Sequence, residues 1–229
     1  MKVAEMRSRE DAWWTSAAAA WCKHDERLST GFVPVSERML DLAEVQPRWD
    51  VLDLACGTGE SALAAAKRVG PSGDVEGGDL VGEMIAFAEA KAESRGVYGI
   101  SFQQYDIELR QPEHLGVGAV TMRWGLMHLA DPVAALKVAW MEFASVAWAY
   151  RPERLGATRD LNPWAAIPLS CIRKHFKFRR PGQWQPGLFA FSDPESLRTV
   201  MKKTGFHGVT VEPFEFAWYG PLSRADFLH

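Results

Sequence analysis

Cysteine is scarce: Cys22, Cys56 and Cys171 are the three in 229 residues, an odd and widely spaced set with no Cys-x-x-Cys pair. That pattern argues against a disulfide framework and a thiolate zinc site, and reduced thiols in a cytoplasmic protein are its simplest account. His and acidic residues do not cluster at metal-ligand spacing, so no metal is expected. No apolar run approaches the ~20 residues that cross a bilayer, and Met1-Lys2-Val3-Ala4-Glu5 opens a mixed-charge segment without a signal-peptide core. Charge of one sign is lacking too. A formal charge of −3 offers no global field for nucleic acid or membrane, so membrane contact is not expected and nucleic acid is disfavoured. What is plentiful is apolar mass: 47% hydrophobic residues suffice for one core, with ten tryptophans and twelve phenylalanines available for packing or for lining a ligand pocket.

The chain is organised around Val51-Leu52-Asp53-Leu54-Ala55-Cys56-Gly57-Thr58-Gly59-Glu60, an apolar run that stops at two glycines and is followed by the helix-forming Ser61-Ala62-Leu63-Ala64-Ala65-Ala66-Lys67. A strand that meets a helix through a glycine turn leaves backbone N–H groups free at the helix N-terminus, and Gly57 and Gly59 let a ligand lie against the main chain. Gly57-x-Gly59-x-x-Ala62 also satisfies the dinucleotide fingerprint. Asp53 separates the two readings. An acid inside the first strand is costly to bury and would repel a pyrophosphate, whereas it suits a ligand with a cationic end.

Asp53-x-x-Cys56-Gly57-Thr58-Gly59 resembles motif I of the class I S-adenosylmethionine (SAM) methyltransferases, in particular those of ubiquinone, menaquinone and natural-product biosynthesis. The resemblance runs over roughly residues 35–218 and is strongest from Val51 to Pro132. It implies an α/β fold: a Rossmann-like, doubly wound, mostly parallel sheet with helices on both faces, an N-terminal helical lid and an insertion after the fifth strand. It also implies SAM as cofactor, with Asp53 near the amino acid end of that ligand. The expected division is a lid over residues 1–34, the SAM-binding core over 35–150, a lid or substrate insertion over 151–190, and the last part of the core over 191–229.

Two more acids fall where an adenosyl ligand needs them. Asp79 follows the strand-like Asp74-Val75-Glu76-Gly77-Gly78, and a carboxylate there can accept both hydrogen bonds of a ribose diol. Leu80 to Met84 resembles the family run whose Met packs near ribose and adenine. Asp106-Ile107-Glu108 follows the alternating strand Ile100–Asp106 and matches the family's adenine turn, in which the acid takes the amino group and the next N–H serves a ring nitrogen. Arg123-Trp124-Gly125-Leu126-Met127-His128-Leu129-Ala130-Asp131-Pro132, after a fourth strand from Val117, resembles the segment whose first residues flank the methionyl part of SAM. The cofactor set is therefore Asp53, Gly57, Gly59, Asp79, Leu80, Met84, Asp106, Ile107 and Arg123.

His128 is the candidate general base or substrate orienter, because imidazole takes a proton near neutral pH; a capping or packing histidine is the plainer alternative. Trp14, Trp21, His24, Trp124 and Trp164 are the candidate acceptor contacts, and for the N-terminal tryptophans simple docking on the core weighs equally. The implied reaction is methyl transfer to a small hydrophobic or aromatic acceptor, at oxygen, nitrogen or carbon.

Elsewhere the chain is read as a helix from Val35 to Val45 with Ser36 as its cap, helices over residues 60–69 and 133–142, an amphipathic helix ending at about Ser94 with Met84, Ile85, Phe87 and Ala88 on its inner side, and a fifth strand from Phe143 to Ala149. The family's Pro-Gly-Gly turn before that strand is absent, so the helix must end early or the strand begin late. Arg173 to Arg180 is a basic run with interleaved aromatics, either a solvated face or an RNA contact. A helix opens at Ser192-Asp193-Pro194-Glu195, and Phe206–Trp218 alternates as a sixth strand. No seventh strand is evident, which leaves an edge where a second copy can pair as a homodimer. The rival readings are a SAM-fold protein without methyl transfer, cyclase-like or a non-catalytic partner, and an RNA-modifying or RNA-binding protein.

Overall fold

The structure is a computed structural model that describes residues 2–109, 117–137, 142–146, 185–187 and 190–216. Two helices, α1 (Val3–Lys23) and α2 (Asp25–Leu42), precede the alternating part. Then come β1 (Val51–Leu54), α3 (Glu60–Val69), β2 (Val75–Asp79), α4 (Gly82–Ser94), β3 (Ile100–Gln104), β4 (Ala119–Arg123), α5 (Pro132–Leu136), β5 (Glu142–Val146) and α6 (Pro194–Lys203). The strands form one parallel sheet in the order β3-β2-β1-β4-β5. The chain thus winds outward from β1 to β3, returns, and winds the other way through β4. This reversal opens a crevice at the carboxyl ends of β1 and β4.

Alternation along β1 divides the core. Val51 joins Met39, Leu40, Ala62, Ala65, Val69, Ile85 and Ala88 in a cluster beneath α2, α3 and α4, while Leu52 and Leu54 join Val120, Met122, Leu136, Val200 and Met201 beneath α5 and α6. Both faces of the sheet are covered this way, which is why β1 and β4 are mostly apolar. Asp53 is wholly buried within β1, and its carboxylate accepts from the hydroxyls of Ser61 on α3 at 2.6 Å and Thr121 on β4 at 2.7 Å.

Several elements differ from their sequence reading. The helix expected to start at Val35 is instead the second half of α2, which runs through Pro34 without a break. Ser36 is accordingly no cap. Its buried hydroxyl donates to Glu60 Oε2 at 2.9 Å and accepts from Arg123 at 3.0 Å. The helix expected over 133–142 ends at Leu136, because β5 pairs Glu142 with Ala119 and leaves five residues to return to the sheet. The missing turn is thus accommodated by shortening the helix. Residues 206–216 form no strand: Gly208 adopts φ +67°, Pro213 has no N–H to donate, and most side chains are exposed. Phe206 and Val209 pack against the core beside α6 all the same. The seventh-strand region, residues 219–229, the basic run 173–180 and Trp164 lie outside the described residues. Among the described residues no helix is long and apolar enough to cross a membrane.

The start of α2 is fixed by a buried ion pair. Lys91 Nζ of α4 lies 2.9 and 3.0 Å from the two Asp25 oxygens, and Ser29 donates to the same carboxylate at 3.1 Å. Burial lowers the Lys91 pKa, and the Asp25 carboxylate opposes that shift. Removing one partner of such a pair strands the other charge. Lys91→Met is expected to lower stability in urea by about 3 kcal/mol or more, whereas Asp25→Leu combined with Lys91→Met should return to within about 1 kcal/mol of wild type.

Burial also pushes Asp53 up to about 6 from 3.8, with the Ser61 and Thr121 hydroxyls and Arg123 opposing it. A carboxyl with a raised folded-state pKa contributes its stability below the unfolded value and loses it as pH rises through the folded one. From pH about 4 to about 6 the ligand-free wild type should therefore lose about 3 kcal/mol relative to Asp53→Asn, with no further change above that window. Denaturant curves of the two proteins across pH measure the difference.

Candidate functional site

At the ends of β1 and β4 the backbone turns sharply in residues that are not glycine: Ala55 has φ +53° and Trp124 φ +60°. Left-handed backbone at an alanine and a tryptophan is strained, and here it sits on both lips of the crevice. The turn after β1 continues through Gly57 at φ +55° and Gly59 at φ +80°, the residue that precedes α3. A Cβ on Gly59 would lie 2.8 Å from that of Ala88 and 3.0 Å from the Phe102 ring, so this glycine serves helix packing. Gly57 serves the cavity. Its N–H donates to Asp79 Oδ2 at 2.8 Å and ties the end of β1 to the end of β2.

Asp79 is buried and lines the cavity, with Oδ1 accepting from the Val81 N–H at 2.9 Å. Burial raises its pKa, and the amides of Val81, Gly57 and Leu80 oppose the rise. Two of the carboxylate's roughly four lone-pair positions are used by Gly57 and Val81, so acceptor capacity remains for a diol. Asp106 lies beyond β3 on the same wall; its Oδ1 accepts from the Glu108 N–H at 2.8 Å. Gly57, Asp79, Leu80, Met84, Asp106, Ile107 and Arg123 all border one cavity. Asp53 and Gly59 do not. Asp53 stands behind Ser61, which lines the cavity in its place.

Arg123, at the end of β4, pairs with the buried Glu60 at the start of α3 and lies over the rings of Phe32 and Trp124, 5.3 and 5.1 Å from their centroids. Its charge is therefore satisfied from the protein side. The cavity wall carries Glu10, Asp79, Asp106 and Glu108 against Arg7 and Arg123, four carboxyl groups to two guanidiniums. Such a wall suits a ligand with a cationic end and opposes a pyrophosphate, which weighs against the dinucleotide reading. The residues present fit an adenosyl ligand of that kind. Among the described residues no group of three or more His, Cys, Asp or Glu is arranged to hold a metal ion.

The other side of the cavity is made by α1 and the turn after β4. Leu126–His128 form a 3-10 turn, and the His128 ring borders the cavity with Nδ1 3.1 Å from Glu10 Oε2. Trp14 meets that ring edge-on at 4.8 Å and Trp13 lies parallel to it at 6.4 Å. Of the candidate acceptor contacts, Trp14, Trp21 and Trp124 line the cavity. His24 does not: it sits exposed between α1 and α2, because the break between those helices falls on the outer surface. Trp164 lies outside the described residues.

Sequence reasoning missed Arg7, Glu10, Ser61 and Glu108. The first two had a signal: Arg7, Glu10, Trp14 and Trp21 recur at intervals of three, four and seven, one face of a helix. Glu108 is buried and accepts the N–H groups of Ala130 at 2.7 Å and Asp131 at 3.1 Å while Arg7 donates to it at 2.8 and 3.0 Å. Arg7 also lies 3.5 Å from Asp106. One carboxylate thus holds the first helix, the turn after β3 and the chain after His128 together.

Comparison with known proteins gives the same picture. Residues 51–143 match the family model described as a methyltransferase domain. The chain is 34% identical over 187 residues to the demethylmenaquinone methyltransferase of Lactococcus lactis, covering 76% of this chain and 70% of that one. It is 41% identical over 75 residues to nocamycin O-methyltransferase of Saccharothrix syringae, covering 33% of this chain and 27% of the relative. Several other relatives are likewise matched over only part of their length, about half in the cases of an aklanonic acid methyltransferase and a quinone C-methyltransferase. Among solved structures, magnesium protoporphyrin IX methyltransferase of Synechocystis PCC 6803 with bound S-adenosylhomocysteine superposes with a TM-score of 0.55 at 16% identity, over 84% of this chain and 79% of that one, a likeness of fold. With its glycine turn, its acids in order and a relative matched across most of both chains, this chain belongs to the class I SAM-dependent methyltransferases.

Proposed function

We propose that the protein transfers the methyl group of SAM to a small hydrophobic or aromatic acceptor. The observation that carries this reading is the meeting, in one cavity, of the acids Asp79 and Asp106 with a wall of tryptophans around His128. Asp79 receives the ribose hydroxyls, and Asp106 with the Ile107 N–H receives the adenine edge. Leu80 and Met84 pack against the same nucleoside. Gly57 and Ser61 border the end that holds the amino acid group, where the buried Asp53 adds negative potential from behind Ser61. When bound, SAM supplies an electrophilic methyl group on sulfur. The protein contributes position and a dry environment: Trp14 and Trp124 hold a flat apolar acceptor, and His128 takes its proton or fixes its orientation. Relatives named nocamycin O-methyltransferase, aklanonic acid methyltransferase and ubiquinone/menaquinone biosynthesis C-methyltransferase suit an acceptor of this class.

Calorimetry with S-adenosylhomocysteine is expected to show one site per chain, and Asp79→Asn should weaken it roughly tenfold or more, because one carboxylate oxygen and its charge are lost. Incubation with SAM labelled at the methyl should transfer label to a small-molecule fraction and not to RNA. Absence of binding to the wild type, or label recovered in RNA, would overturn the reading.

A further inference from the structure

We infer that Glu10 is the positioning residue of His128, and that the first helix brings it there only when seated on the core. This rests on the proposed function, since it assigns a partner to the base of that reaction. A carboxylate can only accept, so the 3.1 Å contact between Glu10 Oε2 and His128 Nδ1 requires the proton on Nδ1. The neutral ring then has its lone pair on Nε2. The contact is sheltered: the His128 and Glu10 side chains are 16% and 24% exposed, with Trp14 edge-on to the ring at 4.8 Å and Trp13 parallel to it.

Two independent contacts keep the pair in register. One helical turn before Glu10, Arg7 donates to Glu108 at 2.8 and 3.0 Å, and Glu108 in turn accepts from Ala130 and Asp131, two and three residues beyond His128. The other is apolar: Ala18, wholly buried on the same helix, packs with Val81 and Met84 of the cofactor wall, with Trp14 and Trp21 beside them. A helix docked by these contacts carries Glu10 to the imidazole, and a helix released from them takes it away.

In the reaction so arranged, Nε2 accepts the proton of an acceptor O–H or N–H while the acceptor's lone pair bonds the methyl carbon and the carbon–sulfur electron pair stays with sulfur. The imidazolium left behind keeps its Nδ1–H on the Glu10 carboxylate, which offsets its charge in the covered site.

The test reads the tautomer of His128 in the ligand-free protein by long-range proton–nitrogen correlation NMR, above the pH at which the ring is charged. In the wild type the Nδ1–H form should dominate, by roughly tenfold for one charge-assisted hydrogen bond. Glu10→Ala should revert to the Nε2–H form ordinarily preferred in water, and Glu10→Gln, which keeps an acceptor oxygen, should retain Nδ1–H. A wild type in the Nε2–H form overturns the assignment. So does Glu10→Ala with an unchanged tautomer, including the case in which it weakens S-adenosylhomocysteine binding, since that result makes Glu10 a tether alone. Because the tautomer is read without ligand or turnover, failure of the wild type to bind S-adenosylhomocysteine would count against the proposed function while leaving this result legible.

Discussion

A strand that stops at a ligand crevice leaves backbone amides with no neighbouring strand to accept from them, and the arrangement of this site follows from how that demand is met. After β1 the Gly57 N–H goes to Asp79, and after β2 the Val81 N–H goes to the same carboxylate. Asp79 therefore closes the ends of two strands and still faces the cavity. Burial raises its pKa, and the amides that it accepts from oppose that rise. The positive φ of Gly57 is what turns its N–H toward β2.

Carboxylates recur in this role, and each does a structural task that sequence alone attributes to the ligand. Asp53 was legible as an unusual acid in the first strand, but its partners Ser61 and Thr121 come from α3 and β4, elements brought beside it only by the parallel pairing of β1 with β4. It stands behind Ser61, which lines the cavity. Glu108 reads in the sequence only as the last residue of the Asp106-Ile107-Glu108 turn; that it gathers Arg7, Ala130 and Asp131 depends on residues 101 positions earlier and 22 and 23 later. Motif spacing records which residues serve a turn locally. It carries no record of which distant chain segments a buried carboxylate will hold.

The same distinction separates the parts of the fold that could be read from those that could not. β1, β2, α3 and α4 each combine a local pattern with a glycine or acid at the proper end, and they stand where the residues say. Ser36 has the residue type of a cap, but α2 extends upstream past Pro34 because its far end is held by the Asp25–Lys91 pair, a contact between residues far apart in the chain. Phe206 to Phe216 has the alternation of a strand without the backbone for one, since Gly208 and Pro213 interrupt any ladder and the apolar members find the core near α6 instead. Alternation reports one-sided burial. Strand pairing needs a continuous row of donors as well.

The first helix shows the two kinds of attachment side by side. Its end is joined to α2, which is locked by a desolvated ion pair to α4, and its middle buries Ala18 over Val81 and Met84. Its beginning is held by Arg7 and Glu10, through groups that also border the cavity. Those two residues exchange partners with water far more readily than Lys91 does, because they are partly exposed and screened. The helix is thus fixed at the end near α2 and held by weaker, charge-dependent contacts over His128 and the Asp106–Glu108 turn. On the proposed reading of the site, the same few charged contacts at the start of this helix set both access beside Trp14 and the orientation of His128.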